Sequence, residues 1–295
     1  MKTFFWLLRR EFWEHRAIVI APVVTALVLF ALGAVGGIQA SEDPSRGPEK
    51  VANLAHLLVP IFGSVFFIVN GFVAAFYLMD SLYGERKDRS VLFWRSLPVS
   101  DTATIAAKLV TGLVLAPLAA LLIAAVAVPL LTFLNKLHFA GHPYSAWPLM
   151  WNAYYLKDGM VLLAYLSVVS MFWFVPLAGW FLSVSAWAPR NPFLWGLVPP
   201  AALFVLGKVI PGVSWAGNLV ADRIGGFLAL SLTVGVPGAG PGVMEGDGHL
   251  VVPASLTSWM DPARLFASPR LWIGLVVGGL LIFAAVQGRR YRTEA

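Results

Sequence analysis

Three groups of residues have types and spacings that could do chemistry. His138 and His142 stand four apart, the spacing that lets two imidazoles on one helical face share a metal ion. Gly141 between them and Pro143 beyond them argue for a loop instead. Glu245, Asp247 and His249 alternate within a glycine-rich stretch, which reads as a solvated turn or a weak cation site. The third group is the densest. In "YGERKDRSVLFWRSLPVSD", Tyr83 to Asp101, the charges Glu85, Arg86, Lys87, Asp88, Arg89 and Arg95 surround Phe93 and Trp94. Mixed charge around two large aromatics is the chemistry of docking rather than of bond making. The rings fill a partner's pocket and the charges fix the register. With arginines on both sides, a membrane-surface anchor is the other reading of the same residues.

Other chemistries are excluded by what is missing. No G-x-x-x-x-G-K-[ST] occurs, and the "GKV" at Gly207 lacks both the upstream glycine and the hydroxyl residue, so the chain carries no P-loop. There is no H-E-x-x-H. With no cysteine there is no disulfide, thiolate metal site or cysteine nucleophile. The 7 methionines are scattered, which gives no support to copper handling. The reading is a non-catalytic chain.

The elements that position the docking stretch are apolar. Of 295 residues, 59% are hydrophobic and 12% charged, where a soluble domain carries about a quarter charged residues. The mean hydropathy is +0.77. The apolar residues come in six blocks, 17–38, 54–79, 105–134, 159–184, 193–209 and 271–286. A bilayer core takes about 20 helical residues, so each block is read as a spanning helix. The fifth is the shortest and holds Pro199 and Pro200. The net charge of +6 comes from residues flanking these blocks, which fits membrane orientation and leaves no like-charge tail for nucleic acid.

Residues 1–16 read as an amphipathic helix lying in the membrane interface. Phe4, Phe5, Leu8 and Phe12 form an apolar stripe, with Arg10, Glu11 and Glu14 opposite and Leu7 interrupting the polar face. A plain extension of the first span is the alternative. Phe4 to Leu8 is too short for a signal-peptide core, so the segment is read as retained. Residues 17–295 then form one six-helix membrane domain. The basic residues Lys2, Arg9, Arg10, Arg16, Arg86, Lys87, Arg89, Arg95, Arg190, Arg289, Arg290 and Arg292 fall on one side, in short segments, which places both termini in the cytoplasm. Residues 81–103 are then a cytoplasmic loop: a charge cluster, a short amphipathic helix, a break at Pro98, and a cap at Ser100 or Asp101 for the third span. The opposite face carries 211–269, whose first part, 214–230, is read as a helix on the outer surface.

Inside the spans, no carboxylate lies near a centre, which argues against proton coupling; Asp80, Asp158, Lys108 and Lys208 sit toward the ends. Ser64 and Asn70 in the second span and Ser167 and Ser170 in the fourth either line a substrate path or hydrogen-bond between helices. The G-x-x-x-G pairs at Gly33 and Gly37 and at Gly274 and Gly278 allow close helix packing.

At this point the chain resembles a family. The N-terminal amphipathic helix, six spans and "ERKDRSVLFWRSLPVSDTATIAAKL" are similar to the permease subunit of ABC-2 type transporters. The pattern is held by Glu85, Arg86, Asp88, Ser90, Ser96, Leu97, Pro98, Ser100 and Lys108. "LSVSAWAPRNPFLWGLVPP" and the tail "GRRYRTEA" are similar to stretches of the same family. The resemblance implies an all-α integral membrane fold whose 81–103 loop is a coupling helix on a separate ATPase subunit. It implies Phe93 and Trp94 as anchors in that subunit, Glu85, Arg86, Asp88 and Arg89 as their charged surround, and Pro98 and Asp101 as the loop's exit. Arg9, Arg10 and Glu14 would touch the same subunit. ATP and Mg2+ would sit in the partner, two permeases would pair in a 2+2 complex, and an amphipathic cargo would be exported across a bacterial inner membrane. Competing expectations are an ATP-independent transporter or channel, or a complex serving envelope or cofactor assembly.

Overall fold

The computed structural model describes residues 2–34, 47–89, 99–138, 140, 151–210, 212–233 and 255–291. Among them the chain is helical, with one isolated antiparallel bridge between Leu232 and Met260. The elements are α1 (Lys2–Glu14), α2 (Ala17–Ala34), α3 (Gly47–Lys87), α4 (Asp101–Val110), a π turn (Thr111–Leu115), α5 (Ala116–His138), α6 (Ala153–Trp173), α7 (Val175–Trp187), α8 (Pro192–Val209), α9 (Ser214–Ser231), a 3₁₀ turn (Leu256–Trp259), α10 (Pro262–Ala267) and α11 (Pro269–Tyr291).

Among the described residues, six helices are long and apolar enough to cross a membrane: Ala17–Ala34, Ala55–Lys87, Asp101–His138, Ala153–Trp173, Pro192–Val209 and Pro269–Tyr291. They match the six blocks in order. Their outward sides stay apolar: Leu122, Val126, Val276 and Leu280 are each 60% or more exposed. That is the surface of a multi-pass membrane protein, because a helix apolar all round must be covered by protein or lipid. Pro199 and Pro200 do not break α8.

The fourth block is not one helix. α6 stops at Trp173, Phe174 turns at φ −87° and ψ 4°, and α7 resumes with Pro176 in its first turn. Pro176 has no N–H to give back to the preceding turn, so the break falls just before it. α7 then packs along α11. A Cβ on Gly179 would lie 2.9 Å from the Gly278 carbonyl oxygen, and the Ser183 hydroxyl donates to Leu281 O at 2.6 Å. Gly278 of the second G-x-x-x-G pair therefore serves packing within the chain, while Gly37 of the first lies outside the described residues.

α9 forms where a surface helix was expected, but it doubles back against α8. A Cβ on Gly207 would stand 2.3 Å from the backbone nitrogen of Gly217, a contact only glycine allows. Further along α9, the Arg223 carbonyl accepts from Trp173 Nε1 at 2.9 Å, and its guanidinium lies 4.5 Å from the Trp173 ring centroid. Trp173 is 15 residues along α6 from Asp158, about 22 Å at 1.5 Å per residue, so α9 reaches well down the bundle. Gly207→Leu is expected to force these two helices apart and cost about 1–3 kcal/mol. A melting temperature in detergent equal to that of the parent chain would show that α8 and α9 separate without loss.

Candidate functional site

The charges of the docking stretch do not all point outward. α3 carries Glu85 and Arg86 in its last turn, and both are buried. Glu85 accepts from Arg289 Nη1 at 2.6 Å, lies 3.1 Å from Lys108 Nζ, and accepts from Arg10 Nη2 at 3.5 Å. Lys108, 1% exposed, also donates to both oxygens of Glu11 at 2.9 and 3.1 Å. Tyr77 OH donates to Glu11 Oε2 at 2.8 Å, and the His15 ring packs edge-on against Tyr77 at 4.5 Å. Arg289 Nε closes the chain of contacts on Asp101 Oδ1 at 2.9 Å.

Each buried charge here has a counter-charge: Glu11 and Glu85, with Asp101 and the more exposed Glu14, meet three cations, Arg10, Lys108 and Arg289. The balance matters because an unpaired buried charge costs several kcal/mol. Burial works against the Arg10 charge, but its bond to Glu14 and the fields of Glu11, Glu14 and Glu85 more than offset it and hold its pKa above the usual arginine value. The cluster ties α1, α3, α4 and α11 together at one end of the bundle. Arg86 adds α7: its Nη2 donates to the carbonyls of Ser185 and Ala188, each at 2.9 Å. The Ser185 hydroxyl in turn accepts from the backbone N–H groups of Leu82 and Tyr83.

This corrects one sequence expectation. Glu11 was placed on the outward polar face of α1, but it is 1% exposed and shares the inward face with Leu7. The residue that looked like an interruption marks the buried side. Glu11 and Glu85 are buried carboxylates at one end of the bundle, away from the span centres to which the sequence argument applied. Lys108 was the available signal, because a cation inside an apolar helix calls for a counter-charge. Its partner Glu11 stands 97 residues away, beyond the reach of any periodicity.

The other singled-out residues fall as follows. Lys87, Asp88 and Arg89 are exposed, and Arg89 takes a left-handed φ of 56° as α3 ends. Ser100 caps α4, accepting from Ala103 N at 3.2 Å, and Asp101 fills the first turn, which leaves its carboxylate for Arg289. Arg9 is exposed over the Trp6 ring at 4.9 Å, and Glu14 holds Arg10 at 2.8 Å. Ser90, Phe93, Trp94, Arg95 and Pro98 lie outside the described residues, as do His142, Glu245, Asp247 and His249. No group of three or more metal-ligating side chains occurs among the described residues.

The inner polar residues that bond do so to backbone carbonyls. Ser64 donates to Ile61 O at 2.7 Å and Ser170 to Ser167 O at 2.7 Å, both within their own helices. Asn70 Nδ2 bonds across to Ala116 O, where the π turn returns to α5. The buried Asn70 Oδ1 and Ser167 Oγ have no hydrogen-bond partner among the described residues.

A second polar knot, missed from the sequence, sits at the far end. Asp158 Oδ2 contacts His56 Nε2 at 2.7 Å and accepts Leu256 N at 2.6 Å, while Oδ1 accepts Ser255 Oγ at 2.6 Å. The His56 ring stacks on Tyr155 at 4.6 Å. The knot pins the 3₁₀ turn, whose Leu256 and Trp259 pack with Leu162.

No family model, curated protein or solved structure matches the chain.

Proposed function

We propose that this chain is the membrane-spanning subunit of an ATP-driven exporter of the ABC-2 type, in which a separate ATPase docks on the 81–103 loop. The observation that carries the reading is how both ends of that loop are anchored. Glu85 and Arg86 on its entry and Asp101 on its exit are bound to α1, α4, α7 and α11 by charged hydrogen bonds. Force applied at the loop can reach the last spanning helix directly through Arg289, and through Arg86 by way of α7. A loop that only joined two spans would need no such anchorage.

In this reading Phe93 and Trp94 seat in the ATPase, Asp88 and Arg89 meet its surface, and Glu85, Arg86 and Asp101 transmit rather than touch. ATP and Mg2+ belong to the partner, whose closure moves the loop. Two copies of this chain pair around the path of an amphipathic cargo, and both termini face the cytoplasm of a bacterial cell. The buried carboxylates Glu11 and Glu85 favour one competitor, a proton-coupled transporter acting alone, because they are titratable groups within the bundle. Each is bonded to a cation, Glu11 to Lys108 and Glu85 to Arg289, which is the geometry of a fixed ion pair rather than of an open carrier site.

A tagged pull-down in mild detergent decides between them. An ATPase recovered near one to one is the expected result; transport by the chain alone in liposomes without ATP sinks the proposal. Trp94→Ala is expected to leave membrane insertion intact and weaken ATPase association by about 2 kcal/mol or more, the loss typical of a buried aromatic anchor. Unchanged recovery of the ATPase would remove Trp94 from the interface.

A further inference from the structure

The face of α1 turned away from the bundle has a composition of its own. At 100° per residue, Leu7 and Glu11 define the inward direction, and Phe5, Trp6, Arg9 and Trp13 fall on the opposite arc. Phe5, Trp6 and Trp13 are 63%, 57% and 60% exposed. Arg9 is exposed beside them, and Arg16 is exposed just past the helix end. No acid shares this arc: Glu11 is buried, and Glu14, on the flank, is neutralised by Arg10. The first spanning helix begins three residues after α1 ends, at Ala17, so the arc lies at the level where the bilayer core gives way to headgroups.

We propose that this arc is seated on anionic phospholipid headgroups. Tryptophan and arginine are the side chains that settle at that depth, the ring among the upper acyl carbons and the guanidinium on phosphate. Positive charge with no compensating acid selects anionic lipid over zwitterionic lipid. The opposite face of the same helix carries Glu11, bonded to Lys108, which also contacts Glu85. Seating α1 on anionic lipid therefore holds Glu11 against the charge cluster, and the lipid composition of the membrane regulates how firmly the 81–103 loop is anchored. The inference rests on the geometry of α1 and holds whatever protein docks on the loop.

The chain has no cysteine, so Trp13→Cys gives a single attachment point for a spin label. The labelled full chain is reconstituted in lipid nanodiscs of phosphatidylcholine with rising phosphatidylglycerol. Accessibility is read with a water-soluble nickel relaxation reagent. The expected result is protection that rises with phosphatidylglycerol. Arg9→Gln should raise the fraction needed for half-maximal protection about fivefold, the worth of one basic side chain at an anionic surface. Arg9→Lys, which keeps the charge, should restore it, and this separates charge from folding. A label open to the nickel reagent at every composition overturns the proposal. So does protection that is equal without phosphatidylglycerol, or that arises only when another protein co-purifies. The readout needs no ATPase, so failure of the exporter reading and failure of this one are distinguishable.

Discussion

Glu85→Ala is expected to destabilise the purified chain by about 3 kcal/mol, the lower end of the range for breaking a buried ion pair. The side chain is 7% exposed and faces three cations. Its removal leaves Lys108 and Arg289 near one another with one acceptor fewer. The cost stays at the lower end because neither cation is stranded: Lys108 keeps Glu11, and Arg289 keeps Asp101. Glu14→Ala is the matched control. It removes a carboxylate from the same end of the molecule, but a partly exposed one in an i,i+4 pair, worth about 0.3–0.5 kcal/mol. Thermal unfolding in one detergent compares the two, and equal losses would mean that Glu85 is no more than a solvated charge.

A double replacement separates stability from transmission. Glu11→Met with Lys108→Met removes one acid and one base, leaving Glu14, Glu85 and Asp101 with Arg10 and Arg289. Replacing a buried pair by apolar residues of similar volume is often neutral or stabilising. The double variant should therefore melt close to the parent, while Lys108→Met alone melts well below it. If the cluster is only a fold device, ATPase association and transport also stay at the parent level. If the cluster transmits motion as proposed they fall, because the shorter link between α1 and the loop, through Glu11 and Lys108, is gone and the 3.5 Å contact of Arg10 with Glu85 is left.

How far the sequence could be read follows from which forces are local. The six spans came through because apolarity over a span's length is a property of a continuous segment. The break at Phe174 was hidden for the same reason: 159–184 is apolar throughout, and Pro176 alone marks the interruption. The helical period of α1 was legible, but its inward face was misassigned. A helical wheel takes every carboxylate as outward, and only Lys108, Tyr77 and their distances turn Glu11 inward. The docking stretch was singled out for its charges, and two of them, Glu85 and Arg86, answer to Arg289, Ser185 and Ala188, more than 90 residues away in sequence. Gly207 and Gly217 likewise carried no visible motif, because their meeting depends on the reversal between α8 and α9.

Asp158→Ala is expected to release the far end of the bundle as Glu85→Ala loosens the near end. Asp158 is 6% exposed, and its two oxygens take the Ser255 hydroxyl, the Leu256 N–H and His56 Nε2. Alanine leaves the Leu256 N–H and the imidazole buried without their acceptor. Hydrogen bonds to a charged group are worth about 1.5–3 kcal/mol, so amide exchange at Leu256 should speed up about ten- to a hundredfold. Asp158→Asn keeps one carbonyl oxygen for one of these donors and should show a smaller increase. Hydrogen–deuterium exchange of the peptide covering 255–261 reads both. If exchange there is unchanged in Asp158→Ala, the apolar seating of Leu256 and Trp259 against Leu162 holds the turn by itself. The two outcomes describe different machines. A turn held by apolar contact is a fixed cover over α3 and α6. A turn held by one carboxylate can be let go by a single local change, which is what the proposed exporter would need if its exit lay at that end.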